Sequence, residues 1–416
     1  MSPLSRKQYR FRRKSYALSF TAVVVLLAGI ISTRRQLSIY ELSIIYGSSS
    51  EGQTLVKDPT PSSYQPPAPL VLTDEISGNK ATLELNCSDD YQGSQVVVNS
   101  IQVSSSPTPP QQQTPNILCF LMTHSGSHDT KVQAVVDTWG KRCDRLVIAS
   151  NVTDDKLGTI ELQTPATYEL LWDRLNETLH YVWNEYQHEE YDWYFKIDDD
   201  SYVIMENLVD FIMEKEQQPL QRLQQQSANN TSPPPLVFGY PLPTYRWKDI
   251  AARYFQGSPE NRAFGDFFFN YSDPVTNKQR NPDDKADYLH GGAGYVMNRQ
   301  YLQQLLVALR SNRTLRSSYN NTLGGKLNHD PIPEDLAHGV TMMVHGIQPK
   351  SGRDILKRER FLPEPPSLMY HVHQQKIKDG TVKPKSLCCS RSSISFHHIS
   401  PSLMRYLEYQ FYTCRG

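Results

Sequence analysis

The sequence lacks several features that would assign it quickly, and each absence excludes something. It carries no net charge, with 43 Lys and Arg against 43 Asp and Glu, and no block of like charge outside the extreme N-terminus. That removes the case for a basic, nucleic-acid-binding groove. None of its six cysteines stands in a CxxC pair, which argues against a zinc cluster. There is no GxGxxG, hence no dinucleotide fingerprint. No internal repeat is visible, and no Ser-His-Asp or Cys-His arrangement argues for a covalent nucleophile. Long apolar runs are missing except for one, so a polytopic membrane protein is excluded. Apolar residues make up 38% of the chain and 28 residues are proline. A good part of the 416 residues is therefore linker or loop, and the remainder still suffices for a self-sustaining core.

The single apolar run is Ser15 to Thr33, uncharged and about 28 Å long as a helix, close to the hydrocarbon thickness of a bilayer. Arg6, Lys7, Arg10, Arg12, Arg13 and Lys14 precede it, and only Arg34 and Arg35 follow. The positive-inside rule predicts a signal anchor over 15–33, with residues 1–14 cytoplasmic and the rest luminal. A cleaved signal peptide is the rival, though its apolar core is ordinarily shorter and no A-x-A-like site is obvious after Ile31. Sequons at Asn86, Asn151, Asn176, Asn229, Asn230, Asn270, Asn312 and Asn320 suit a secretory-pathway chain. In that compartment the cysteines are expected to be paired.

From 34 to 115 the chain is rich in Ser, Gln and Pro and reads as an extended stem, with some β-prone residues between Gln95 and Val103. At 116 the character changes, and a catalytic domain is expected over 116–416. ILCFLM (117–122) and RLVIAS (145–150) fit buried parallel strands, and 128–140 fits a helix between them. That is a β-α-β unit. Tyr168, Leu171, Trp172, Leu175, Leu179, Val182, Trp183 and Tyr186 fall at helical spacing and read as the core face of one helix. A strand over 193–197, an acidic triplet and a helix near 204–215 follow. The fold class is α/β, with a loop insertion at 217–235.

Four segments can carry chemistry. In YDWYFKIDDDSYV (191–203) an apolar strand ends in Asp198, Asp199 and Asp200. Crowded carboxylates repel unless a cation neutralises them, and oxygen ligands suit Mn²⁺ or Mg²⁺ bridging a nucleotide diphosphate. The bland alternative is an acidic turn with a helix cap. Gly291, Gly292 and Gly294 in YLHGGAGYVMN (288–298) allow close backbone approach to a ligand, or simply a structural turn. PEDLAHG (333–339) is either a plain helix start or the carrier of a general base, Glu334 or Asp335. ISFHHIS (394–400) is β-prone and carries His397 and His398, expected on opposite faces of one strand, either of them structural or a metal ligand.

Taken in order, the motifs Thr138-Trp139-Gly140-Lys141-Arg142-Cys143, Asp198-Asp199-Asp200, Gly291 to Val296, Glu334-Asp335-Leu336-Ala337, Cys388-Cys389-Ser390, and Ser395-Phe396-His397 followed by LEYQFY (407–412) resemble the core 1 β1,3-galactosyltransferases. The resemblance covers 117 to the C-terminus. It implies a GT-A-type, Rossmann-like domain in a type II Golgi membrane protein, often homodimeric. It implies transfer of galactose from UDP-galactose, with Mn²⁺, to O-linked GalNAc of glycoproteins. Residue by residue, it implies Asp198, Asp200 and His397 as metal ligands, with Asp199 beside the donor. Asp335 would be the base and Glu334 its neighbour, and Trp139, Gly291, Gly292 and Tyr295 would shape the donor and acceptor pockets. It also implies a Cys119–Cys143 disulfide.

The chain departs from the family pattern in three places. About fifty residues separate Gly239 from Gly291, where relatives have far fewer. Tyr240-Pro241-Leu242 and Leu289-His290 replace the usual neighbours of that segment, and two cysteines flanking the ED segment are missing. The rivals to galactosyl transfer are a β1,3-glycosyltransferase using another UDP-sugar and a non-catalytic chaperone-like relative. The chaperone relative of the family lacks the acidic triplet that this chain keeps.

Overall fold

The computed structural model describes residues 43–44, 70–73, 80–83, 101–104 and 114–414, with breaks at 190, 224–232, 243–245, 256–258, 271–278, 280, 284–287, 311–331, 344 and 370–388. Two compact units divide at residue 84. The expected anchor at 15–33 lies outside the described residues. Among the described residues, no helix is long and apolar enough to cross a membrane. The first unit holds β1 (Ser43–Ile44), β2 (Leu70–Thr73) and β3 (Lys80–Leu83), paired antiparallel in that order. The stem expected to be extended throughout therefore contains a small sheet.

The second unit is built on a seven-stranded sheet. Its strands are β4 (Ile117–Met122), β5 (Arg145–Ser150), β6 (Thr159–Glu161), β7 (Trp193–Lys196), β9 (Val237–Gly239), β10 (Tyr295–Asn298) and β11 (Lys350–Ser351). The spatial order is β11-β9-β10-β7-β4-β5-β6. The block β7-β4-β5-β6 is parallel, and β10 runs antiparallel to both of its neighbours. The unbroken apolar run of β4 follows from burial on both faces. Leu118, Phe120 and Met122 enter one apolar cluster, and Cys119 and Leu121 enter the other. Cys119 and Cys143 are bonded, tying β4 to the turn before β5. Cys389 and Cys414 are also in disulfides.

Helices cover the sheet. The segment expected as one helix over 128–140 is a π turn (His128–Val132), α1 (Gln133–Asp137) and a 3-10 turn (Trp139–Arg142). Thr138 leaves helical geometry, and its hydroxyl caps Ala134 O at 2.6 Å. Helix α2 (Leu171–Tyr186) buries Trp172, Leu175, Leu179 and Val182, as the spacing predicts. Helix α3 (Met205–Leu223) runs into the segment expected to be a loop. The long insertion contains α4 (Trp247–Ile250) and α5 (Pro259–Asn270). Trp247, Tyr254, Phe255, Phe264 and Phe268 join the main core, so these described parts of the insertion are packed. Helices α6 (Arg299–Arg310), α7 (Glu334–Met343) and α8 (Pro401–Tyr412) complete the layer.

Two further features bear on the site. A small second sheet joins β12 (Phe361–Leu362), β13 (Ser395–Phe396) and β8 (Tyr202–Val203), in the order β12-β13-β8. Residues 101–104, assigned to the stem by sequence, form a strap on the second unit. Ile101 is fully buried in the core, and Gln102 N donates to Arg391 O at 2.7 Å. The Asn207 amide accepts from Ser104 N and donates to Gln102 O, both at 2.8 Å.

Candidate active site

The acidic triplet occupies the turn between β7 and β8. That turn is short, so Asp198, Asp199 and Asp200 are held at the C-terminal edge of the parallel block. Residue His397 reaches them because β13 pairs with β8, with Phe396 opposite Tyr202. Backbone bonds lock the register, with His397 N donating to Leu362 O at 3.0 Å and Ile399 N to Asp200 O at 2.8 Å. His397 Nε2 then lies 3.1 Å from Asp200 Oδ1 and 3.8 Å from Asp198 Oδ2. Burial opposes ionisation of both carboxyls. For Asp198 the nearby Lys196 and His397 outweigh it, and for Asp200 the His397 contact and Lys131 do so. Both pKa values are lowered, so both groups are anionic at neutral pH. Asp199 turns to the other side, accepting from the Thr123 hydroxyl at 2.7 Å. Burial pushes its pKa up.

His398 does not face the opposite side as expected. The strand ends at Phe396, and His398 takes φ +56°, which breaks the alternation and stacks its ring on His397 with centroids 3.7 Å apart. Single ligand atoms of Asp200, His397 and His398 all lie within 4.8 Å of one another. His397 Nδ1 is buried without a hydrogen-bond partner among the described residues. Carboxylate oxygens with imidazole nitrogen form a mixed donor set that could hold a divalent cation.

A buried ammonium joins this corner to the ED segment. Lys196 is 1% exposed, and its Nζ donates to Asp198 Oδ1 at 2.8 Å, Glu334 Oε2 at 3.0 Å and Gly291 O at 3.4 Å. Burial alone would lower its pKa, but Asp198 and Glu334 outweigh burial and raise it. The other Glu334 oxygen accepts from the Tyr295 hydroxyl at 2.9 Å. Both oxygens of Glu334 are thus engaged from within the protein. Asp335 differs. Its Oδ2 accepts from Gly291 N at 3.2 Å and its Oδ1 from Leu336 N at 2.8 Å. The helix dipole predicts a readily ionised acid here, and the structure reverses that expectation. Burial first, and then the charge of Glu334, push the Asp335 carboxyl up to about 7.

The glycine turn is a fitted part of this arrangement. A Cβ on Gly292 would collide with the His397 imidazole. Gly294 has φ +80°, a conformation that side-chain-bearing residues rarely adopt.

A cleft of about 280 Å³ opens beside these groups. It is lined by the β4 end (Met122, Thr123, His124), by Lys131, by Tyr168 and Arg174 near the start of α2, and by Lys196, Asp198, Asp199 and Glu334. Lys131 lies 3.2 Å from Asp200 Oδ2 and 3.5 Å from Asp199 Oδ1. Arg174 is 3% exposed, donates to Thr123 O at 2.6 Å, and leaves Nε without a partner among the described residues.

The structure therefore brings Asp198, Asp199, Asp200, His397, Gly291, Gly292, Glu334 and Asp335 together. Two expectations need correction. Trp139 is fully buried and lines no part of the cleft, because its indole N–H is spent on Ser201 O at 2.9 Å, which steadies the turn after the triplet. Tyr295 is also fully buried and acts on Glu334 from beneath. Sequence reasoning missed Lys131, Arg174 and Lys196, and placed Tyr168 in the core, although it is 64% exposed. Lys196 had a signal, since a lysine in an apolar strand two residues before an acid needs a buried partner.

Comparison with known proteins agrees with this geometry. Residues 113–230 match the model of the Fringe-like family. The chain is similar to glycoprotein-N-acetylgalactosamine 3-beta-galactosyltransferase 1 of Xenopus laevis, at 27% identity over 310 residues, covering 72% of this chain and 67% of that protein. The family-model match, 113–230, includes β4, the acidic triplet and most of the cleft wall. These matches and the ordered motifs support a likeness to the core 1 β1,3-galactosyltransferase-like family of glycosyltransferases.

Proposed function

We propose that the protein is an inverting galactosyltransferase that moves galactose from UDP-galactose to the 3-OH of O-linked GalNAc on glycoproteins. Its domain is read as a GT-A fold using Mn²⁺. The observation that carries the proposal is the pairing of a corner formed by His397 and the ionised Asp198 and Asp200 with an Asp335 carboxyl raised to about 7. Asp200 and His397, with Asp198 beside them, would hold the cation. When bound there, a divalent cation would neutralise the diphosphate and stabilise UDP as it leaves. Lys131 offers a second positive charge at the cleft wall.

Asp335 takes the proton of the acceptor hydroxyl. The oxygen attacks the anomeric carbon from the face opposite the diphosphate, and the bond to UDP breaks with its electron pair. One displacement inverts the configuration and needs no covalent intermediate. A pKa near 7 suits this role, because a base works best when poised near the working pH. Glu334 is unsuited, since it is the counter-ion of the buried Lys196 ammonium, whereas Asp335 accepts only from backbone N–H groups.

The test is the full chain in detergent with Mn²⁺, a GalNAc-peptide and a panel of UDP-sugars. Galactose transfer supports the proposal, and preference for another UDP-sugar replaces the donor. No transfer from any donor rejects catalysis in favour of a chaperone-like role. We also propose Golgi residence with a luminal catalytic unit, anchored by 15–33 and assembled as a homodimer. Protease protection of the C-terminal unit in intact microsomes tests the topology, and ready digestion without detergent would reject it.

A further inference from the structure

The chain just after β13 is built around one displaced residue. Strand alternation would send His398 to the face opposite His397, yet its φ of +56° turns it back. A residue with a Cβ rarely adopts positive φ, and where one is held there the strain clusters at functional sites. Both of its neighbours are pinned. His397 N donates to Leu362 O at 3.0 Å, and the fully buried Ile399 donates through N to Asp200 O at 2.8 Å. His398 is therefore looped out between two fixed points, one of them the backbone of Asp200 itself.

The looping gathers donor atoms. The rings of His397 and His398 stack with centroids 3.7 Å apart and 29° between their planes. One ligand atom each from Asp200, His397 and His398 lies within 4.8 Å of the other two. His397 is buried and Asp200 half-buried, so His398 is the exposed member of the three. Other groups nearby are committed elsewhere. Asp198 Oδ1 accepts from the buried Lys196 ammonium at 2.8 Å, and its Oδ2 is 3.8 Å from His397 Nε2, against 3.1 Å for Asp200 Oδ1. His290 stands edge-on to His397, but its Nδ1 accepts from Ala293 N at 3.1 Å. In the neutral ring that bond leaves the proton on Nε2, so His290 is a donor there and not a metal ligand.

We propose that His398, in place of Asp198, completes the protein's metal-ligand set with Asp200 and His397, and that this set takes up a divalent cation before any nucleotide arrives. Two imidazoles and one carboxylate are a donor set suited to first-row divalent ions, with open positions left for other ligands. Oxygens of a diphosphate can fill them. A neutral imidazole in place of a second carboxylate also leaves the bound ion a larger net positive charge to meet that diphosphate. The positive φ at His398 is then the backbone feature that brings the second ring to the ion. This inference rests on the divalent-cation reading above and adds to it a ligand and an order of binding.

The experiment uses the full-length chain in detergent, Mn²⁺ alone as the probe, and the variant His398→Gly. Glycine takes positive φ freely, so the substitution removes the ring and keeps the backbone. Loss of the free Mn²⁺ EPR signal gives the affinity without UDP, and electron spin-echo modulation counts the imidazoles on the bound ion. The parent is expected to bind Mn²⁺ through two imidazoles. His398→Gly should bind it about tenfold or more weakly, through one imidazole, with an unchanged thermal melt in metal-free buffer. Equal affinities, a single imidazole in the parent, or a parent that takes up Mn²⁺ only once UDP is added would each overturn the proposal. If His398→Gly shifts the metal-free melt, the imidazole count in the parent decides alone. Sugar transfer by a parent whose ion carries one imidazole rejects His398 and keeps the transferase reading. Two imidazoles with no transfer from any UDP-sugar does the reverse.

Discussion

Replacing Asp335 with Asn should make the protein more stable and nearly inactive at once. In the folded state the Asp335 carboxyl rises from 3.8 to about 7. Between those values the folded form binds the proton that the unfolded form has released, so stability falls as pH rises through that window and levels off above about 7. Roughly 3 pKa units at about 1.4 kcal/mol each put the full penalty near 4 kcal/mol at pH 8. At pH 5 only about 2 kcal/mol of it has accrued. Asn is nearly isosteric, but its one carbonyl oxygen can accept from Gly291 N or from Leu336 N and not from both, so the variant should escape only part of the penalty. Urea denaturation at pH 5 and pH 8 measures this, and the stability gain of Asp335→Asn should be larger at pH 8. The same variant should retain UDP affinity while kcat falls a hundredfold or more, the scale of a lost general base. The parent kcat should rise with pH to a plateau above about 7. If the two proteins show the same pH dependence of stability, the carboxyl is not raised. If Asp335→Asn turns over near the parent rate, the base is another group.

Four further outcomes can be measured. Asp200→Ala and His397→Ala should each abolish Mn²⁺-dependent UDP binding in calorimetry while the thermal melt survives. Retained metal-dependent affinity would remove that residue from the ligand set. Gly292→Ala should weaken the same binding, because the added methyl collides with His397, and normal titration would contradict that packing. Lys196→Met should destabilise the fold by about 3–5 kcal/mol, since it strands buried Glu334 and the Asp198 carboxylate without their cation; unchanged denaturation midpoints would refute it. Peptide mapping should find Asn176 unglycosylated, as its Oδ1 is buried on α2, whereas exposed Asn270 can carry a glycan.

The parts legible in the sequence were those set by local rules. The β4 run had to be buried on both faces, and α2 showed its stripe. The triplet after an apolar strand marked the acidic corner that the structure places beside His397, and the motif order suggested the Cys119–Cys143 bond. What could not be read depends on distant pairing. The meeting of Asp200 with His397 rests on β8 and β13, two residues each, too short to leave a periodic signal. His398 was misplaced because strand alternation ceases when the strand ends at Phe396 and φ turns positive. Tyr168 was misplaced because helical spacing was extended backwards through a 3-10 turn, where the 100° step no longer holds. The ionisation of Asp335 was misjudged because a dipole is a local property, whereas burial and the Glu334 charge come from the assembled fold.

The strap at 101–104 bears on where the chain could be cut from the anchor proposed at 15–33. A cut anywhere before Ile101 frees a unit that carries its own strap and keeps its core closed. A cut after Ser104 leaves the strap behind on the stump. The freed unit then has an empty slot where Ile101 lay and an Asn207 amide stripped of Ser104 and Gln102. An emptied isoleucine site with lost hydrogen bonds costs about 2–5 kcal/mol, a large share of a domain's stability. Helix α3, which bears Asn207, follows directly on β8, the strand against which His397 is registered. Stable truncated forms should therefore begin upstream of Ile101, and a form trimmed back to the first strand of the large sheet should be the one that fails to hold Asp200 and His397 in register.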